Sequence, residues 1–387
     1  INVMKNIIFF GLMSPLFGYS AEPSFRMQEI DAKVGVGYGL QLADMDGDKK
    51  KDIILCDKDK IVWYQNPSWK KHQISGHLTK RDHVCVTARD LDGDGKAEIA
   101  VGGQWNIGES NDAGKSGAVF YLNPTATREG NWTPIQLPHE PNTHRMHWIK
   151  SGKGKFDLVV KPLYGPKGPD GIKGGSKVWA YHMPENPAKK WNRTLVSDFM
   201  KDSHNFHLID WDRDGREEFL QAGLNGVYWF GRDKQGKWKY MQFSQNYAGE
   251  VRDGVTAKGK RFFVAIEPKH GTTVAVYLQT RFQFWQRRVL DETLKDGHAL
   301  AVADYLGTGG DQVVAGWRGM NTPGVPGVRL YVPKDDLYTK WKSYQLSGKE
   351  TAVEDIKATD LNGDRKPDIV IACRQTHNLR ILWNESR

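Results

Sequence analysis

Three histidines, His144, His204 and His298, each stand six residues ahead of Lys150, Asp210 and Asp304, the first two within or beside histidine-rich stretches. An imidazole moves protons near neutral pH, and several neutral imidazoles together are good transition-metal ligands. In the stretch EPNTHRMHW, residues 140–148, His144 is followed by Arg145 and His147, and His207 lies close to His204. The same position is filled by Tyr38, Glu250 and Glu354 ahead of Asp44, Thr256 and Asp360, while His83 lies seven residues before Asp90, one place off register. Recurrence at one register favours a built site over side chains that are merely solvated.

The elements that position these residues are repeats. DMDGDKKKDIIL from Asp44, DLDGDGKAEIAV from Asp90, DWDRDGREEFLQ from Asp210 and DLNGDRKPDIVI from Asp360 share one pattern, with a weaker copy, DYLGTGGDQVVA, from Asp304. Each is followed by paired β-runs such as DIILC and KIVWYQNP, then by a third run led by Trp69, Trp132, Trp191, Trp238, Trp285 or Trp341. The seventh aromatic-led run, FRMQEID from Phe25, lies at the other end of the chain. Seven four-stranded units close only if that run completes the last one. This predicts an all-β, seven-bladed propeller whose N-terminal strand joins the final blade and removes a free sheet edge. Residues 22–387 read as a single domain.

The acidic turns group carboxylates that repel one another unless a hard cation sits among them, and Ca²⁺ takes about 6–8 oxygen ligands. The candidate ligands are Asp44, Asp46, Asp48 and Asp52; Asp90, Asp92, Asp94 and Glu98; Asp210, Asp212, Asp214 and Glu218; and Asp360, Asn362, Asp364 and Asp368. The alternative is a set of metal-free Asp-Gly turns. Either way the role is structural, because a catalytic loop is not copied around a ring.

Strand direction alternates within a blade. The start of each inner strand therefore shares a face with the turn between the second and third strands, and the acidic turn lies on the opposite face. Long second-to-third turns bring Trp105, Lys161, Tyr164, Trp317 and Arg318 to the histidine face, and the turn IEPKHG adds Glu267, Lys269 and His270. Long loops on a rigid face commonly carry function. Aromatics stack on sugars and basic groups pair with carboxylate or sulfate, so the expected partner is an acidic polysaccharide or a small keto-sugar. No serine or cysteine elbow is present. The set suits β-elimination, with His144 as base, Tyr164 as acid, and Arg145 and Lys161 neutralising the acid group. His83, His204 and His298 orient substrate or hold Zn²⁺. Glu250 and Glu354 supply the carboxylate pair a glycosidase would need, and a non-catalytic glycan- or protein-binding propeller is the third reading.

Composition narrows the partners. The formal charge of +9 is spread along the chain rather than gathered into a basic run, which argues against nucleic acid. Lys5 followed by IIFFGLMSPLFG and the small residues Gly18, Ser20 and Ala21 reads as an export signal over residues 1–21, too short for a membrane span. The protein is expected to be a secreted or periplasmic monomer. Cys56, Cys85 and Cys373 fall in apolar runs, as buried thiols do.

The DxDGDGxxDI loop with its paired β-runs resembles the FG-GAP or VCBS repeat family, which implies a calcium-stapled propeller. HEPNTHRMHW, with the upstream GGQW loop, resembles exported FG-GAP propellers that include the propeller part of aldos-2-ulose dehydratase. The overall plan is similar to propeller-type polysaccharide lyases such as ulvan lyases, which use histidine and tyrosine. These resemblances imply roles for His144, Arg145 and Tyr164.

Overall fold

Largely apolar runs without alternation read as strands buried on both faces, and the second strand of each unit has such a run at its centre. Asp52–Cys56, Glu98–Gly103 and Asp368–Cys373 are buried at every position. The aromatic-led third runs instead alternate, with solvent reaching part of strands such as Trp341–Ser347, as expected at the rim of a sheet. The computed structural model describes residues 22–280, 284–320 and 322–387. The export-signal reading of residues 1–21 lies outside them.

The strands form seven antiparallel sheets of four. The innermost strands are Gly39–Ala43, Cys85–Arg89, Thr143–Gly152, Phe206–Ile209, Glu250–Val255, Gly297–Ala303 and Val353–Thr359. Each touches the next around a complete ring. The described residues contain no helix, and hence none long and apolar enough to cross a membrane.

Hydrophobic burial lies between blades rather than within them. Seven core clusters occur among the described residues, each built mainly from two adjacent blades. The packing is close. A Cβ added at Gly316 would lie 2.7 Å from Val353 Cγ1 of the neighbouring blade. All three cysteines are buried and free within these layers.

The seventh blade is composite, as the repeat count requires. Phe25–Asp31 pairs antiparallel with Leu379–Asn384, in a register that sets Phe25 opposite Asn384 and Met27 opposite Leu382. The Trp383 indole N–H donates to Gln28 Oε1 at 2.7 Å, and Arg26 pairs with Glu385 at 2.7 Å.

The chain then enters the first blade through a segment held by one buried carboxylate. Asp57 accepts from the backbone N–H groups of Gly35, Val36, Gly37 and Lys58 at 2.7, 2.7, 3.2 and 2.8 Å. Burial alone would raise this carboxyl, but those hydrogen bonds outweigh it and hold it below the usual aspartate range. A depressed native value contributes stability that is present above the unfolded value of about 3.9 and is lost as the pH falls through the native one. Asp57→Ala is therefore expected to cost about 3 kcal/mol at pH 7. The gap from the parent should narrow toward pH 3, as read by chemical denaturation; a gap that does not change with pH would contradict this account.

Candidate active site

Three of the ring residues sit where their strands slip register. The pairing shifts between Thr143 and Arg145, between Gly297 and Ala299, and between Val353 and Asp355, leaving His144, His298 and Glu354 as the inserted residues. A bulge re-aims the extra side chain, and here it turns each one toward the channel mouth. His204 occupies the corresponding place just ahead of Phe206–Ile209.

The result is a cluster of four imidazoles. His204 is its hub, with ring centroids 4.9 Å from His144, 4.7 Å from His270 and 4.9 Å from His298, and His270 and His298 are 4.8 Å apart. One ligand atom each from His204, His270 and His298 fall within 4.8 Å of one another. His298 Nδ1 donates to the Glu354 carbonyl at 2.6 Å, so its Nε2 carries the lone pair. His204 Nδ1 donates to Glu250 Oε1 at 2.9 Å, which again leaves Nε2 as the acceptor. His204 Nε2 lies 3.1 Å from His270 Nε2.

His144 differs. It is 6 % exposed, stacks on Trp105 at 4.9 Å, and has no hydrogen-bond partner at either ring nitrogen. Burial, followed by the nearby charge of Arg145, holds its imidazole well below the ordinary histidine value. Burial does the same at His204, with Arg145 and Lys269 adding to it, and at His298, with Arg318 adding. All of these rings are therefore neutral at physiological pH, the form that ligates a metal or accepts a proton.

The shell around the cluster is charged. Arg318 donates to Asp296 at 3.0 Å, to Glu354 at 2.9 Å and to His270 Nδ1 at 3.2 Å. Glu250 also accepts from the Asn205 amide at 2.8 Å. Lys269 reaches the Tyr164 hydroxyl at 3.1 Å and pairs with Asp202, while Lys173 Nζ lies 3.2 Å from the Tyr164 ring centroid. Above Trp105, the long loops of the second and third blades clasp each other. Asn111 donates to Lys167 O at 3.0 Å and accepts from Lys167 N at 2.8 Å.

The faces separate as connectivity requires, since Trp105, His270 and Arg318, all from second-to-third turns, meet His144, His204 and Glu354. Several expectations change in detail. Lys161 is fully buried, donating to the carbonyls of Ser203 and Pro162, and burial drives its amine well below the usual lysine value. It is therefore not a charged substrate contact. Trp317 packs into the core with its indole N–H on Val325 O at 2.7 Å, so it does not reach the rim.

His83 is fully buried and accepts from Leu78 N at 3.1 Å, and it takes no part in the four-ring cluster. Glu250 orients His204 rather than standing open to substrate. Glu267 bonds Tyr277 and Arg287, away from the cluster. His270 was placed only at the rim by sequence. It belongs to the centre, held in the left-handed region at φ 54°, a conformation costly for a non-glycine residue.

On the opposite face, Asp44, Asp46 and Asp48 gather, as do Asp90, Asp92 and Asp94. In the Asp210 loop the group is Asp210, Asp212 and Glu218, because Asp214 turns to Arg216. In the Asp360 loop the Asn362 amide donates to Asp364 at 3.3 Å. The last acid of each loop is a clamp. Asp52, Glu98, Glu218 and Asp368 accept from the N–H groups of Met45, Leu91, Trp211 and Leu361. Burial first, with neighbouring carboxylates adding to it, raises Asp52, Glu98 and Glu218 to about 7 and Asp368 to about 6.

Comparison with known proteins places the repeat. Residues 44–101 match the FG-GAP-like repeat. This FG-GAP-like segment runs from the first acidic turn through the second, so it contains two of the predicted loops. No curated protein matches the chain by sequence. Among solved structures, the chain is similar to an Agrocybe aegerita lectin whose structure concerns recognition of non-reducing terminal N-acetylglucosamine. The TM-score is 0.51 at 15 % identity, over 87 % of this chain and 90 % of the lectin. It is also similar to a chain of BBS1N–ARL6DN complexes. The mercury soak gives a TM-score of 0.54 at 9 % identity, over 94 % of this chain and 97 % of that one. The lead soak gives 0.55 at 12 % identity, over 92 % and 95 %. At these identities the likeness is one of fold, and the fold is the propeller.

Proposed function

We propose that the histidine face is the active site of a carbohydrate carbon–oxygen lyase with a divalent-metal centre at His204, His270 and His298. The observation that carries this reading is the triangle of imidazoles, His204 and His298 buried and His270 partly exposed, the first two with the outer nitrogen already committed to an acceptor. Such outer contacts fix ring orientation in metal sites. His204, His270 and His298 would hold Zn²⁺, which takes imidazole ligands and would supply Lewis-acid charge to a carboxylate or keto oxygen.

The chain's own groups do the rest. His144, unpartnered at both nitrogens, takes the proton next to the carbonyl or carboxylate. The electrons of that C–H bond form the new C=C bond as the C–O bond breaks. Tyr164, held by Lys269, protonates the leaving oxygen. Arg145 offers charge to the acid group, and Trp105 backs the base.

The test combines metal analysis of the purified protein with ultraviolet absorbance during incubation with uronate polysaccharides and 2-keto sugars. One equivalent of bound Zn²⁺-class metal and a rising signal from a conjugated double bond are expected. New reducing ends without that signal would replace the lyase by a glycosidase. Saturable sugar binding with neither product would favour a glycan-binding propeller, a reading that the lectin's shared fold supports.

A further inference from the structure

The third blade has lost its acidic turn, and the loss opens a cavity. Its inner strand runs on to Gly152 and reverses at once into Lys155–Pro162, while residues of the first and second acidic turns, Asp44, Lys49, Asp90 and Gly95, line the space beside it. Between them lies a cavity of about 680 Å³ at the mouth opposite the histidines, with Gln41 and Phe156 in its wall. Its charged lining is mainly cationic, with Lys49, Lys51, Lys150 and Arg89 against Asp44 and Asp90.

The cations differ in how they are held. Arg89 lies over the Phe156 ring at 4.8 Å and pairs with Glu217 at 2.6 and 3.0 Å. Glu217 is itself fixed by Lys150 N at 2.7 Å. Among the described residues, Lys49, Lys51 and Lys150 have no ion-pair partner. The two carboxylates, each held by backbone N–H groups of its own turn, offset part of that charge and make no ion pair with the lysines. Three ammonium groups without ion pairs outnumber the two carboxylates around one concavity and leave it net cationic, which attracts a compact anion, and the volume lies within the range of small-molecule sites.

We infer that this cavity is a second binding site, for a small oligoanion of about disaccharide size bearing carboxylate or sulfate groups. It stands apart from the lyase reading, because none of its lining residues belongs to the histidine centre.

Calorimetric titration of the full chain with a sulfated disaccharide, an unsulfated uronate disaccharide and a neutral disaccharide tests it. Saturable one-to-one binding of at least one anionic probe, absent with the neutral one, is expected, and comparing the two anionic probes identifies the preferred group. The double variant Lys51→Ala/Lys150→Ala should weaken that binding at least tenfold and lower its salt dependence, while metal content at the histidines is unchanged. Lack of saturable binding to either anion, equal binding of the neutral sugar, or full binding by the double variant would overturn the inference.

Discussion

His204→Ala is expected to abolish stoichiometric metal binding and to lower elimination by at least about 100-fold. His204 is the ring that touches all three others, so no two remaining histidines keep the geometry it sets. The variant should stay folded, because the Asn205 amide still reaches Glu250 at 2.8 Å and Arg252 stands 3.6 Å away. Near-ultraviolet circular dichroism checks that point. Glu250→Gln supplies the graded case. It keeps an oxygen to accept from His204 Nδ1 but removes the charge, and about 10- to 100-fold weaker metal binding is expected. A His204→Ala protein with normal metal content and full activity would sink the centre outright.

Calcium should raise the melting temperature, and its removal by chelation should lower it by about 10 °C. The clamps are four acids whose carboxyls are pushed up first by burial and then by the neighbouring carboxylates of their own loops. A cation bound by the first three acids of a loop offsets that repulsion and ties two strands of a blade together. Asp44→Ala should remove one equivalent of calcium and a share of the shift. Asp304→Ala should change neither, since its loop has too few acids. Calcium analysis with thermal melting decides it. Less than one equivalent bound, with melting unmoved by chelator, would leave the loops as metal-free turns.

Much of this was legible in the chain. Repeated acidic turns and aromatic-led runs marked seven units, and the displaced Phe25 run implied ring closure. The alternation of strand direction separated the two faces. What sequence could not fix was the aim of individual side chains. His270 lies in the turn between Arg261–Glu267 and Thr273–Gln279 rather than at the start of an inner strand, so the repeat pattern that flagged His144, His204 and His298 gave no register for it. Its place in the turn between second and third strands was the available signal. Trp317 opens a long loop, and such a residue can project or tuck beneath. The Val325 carbonyl, which takes its indole N–H, decides for tucking. Lys161 reads as a cation in any alignment of charges. Its cross-strand position opposite Arg145 and its full burial make it an amine that ties down backbone carbonyls.

The composite seventh blade also sets a timetable for synthesis. Phe25–Asp31 leaves the ribosome early, but its only partner strand, Leu379–Asn384, follows some 350 residues later. Until then the early segment has no sheet to join, and the Leu379–Asn384 edge does not yet exist. The first six blades can pair strand by strand as they emerge, since each is built from adjacent sequence. Circularisation must wait for the last of them. Closing the ring is thus a long-range pairing of one short ribbon, the class of contact whose loop-closure cost slows folding.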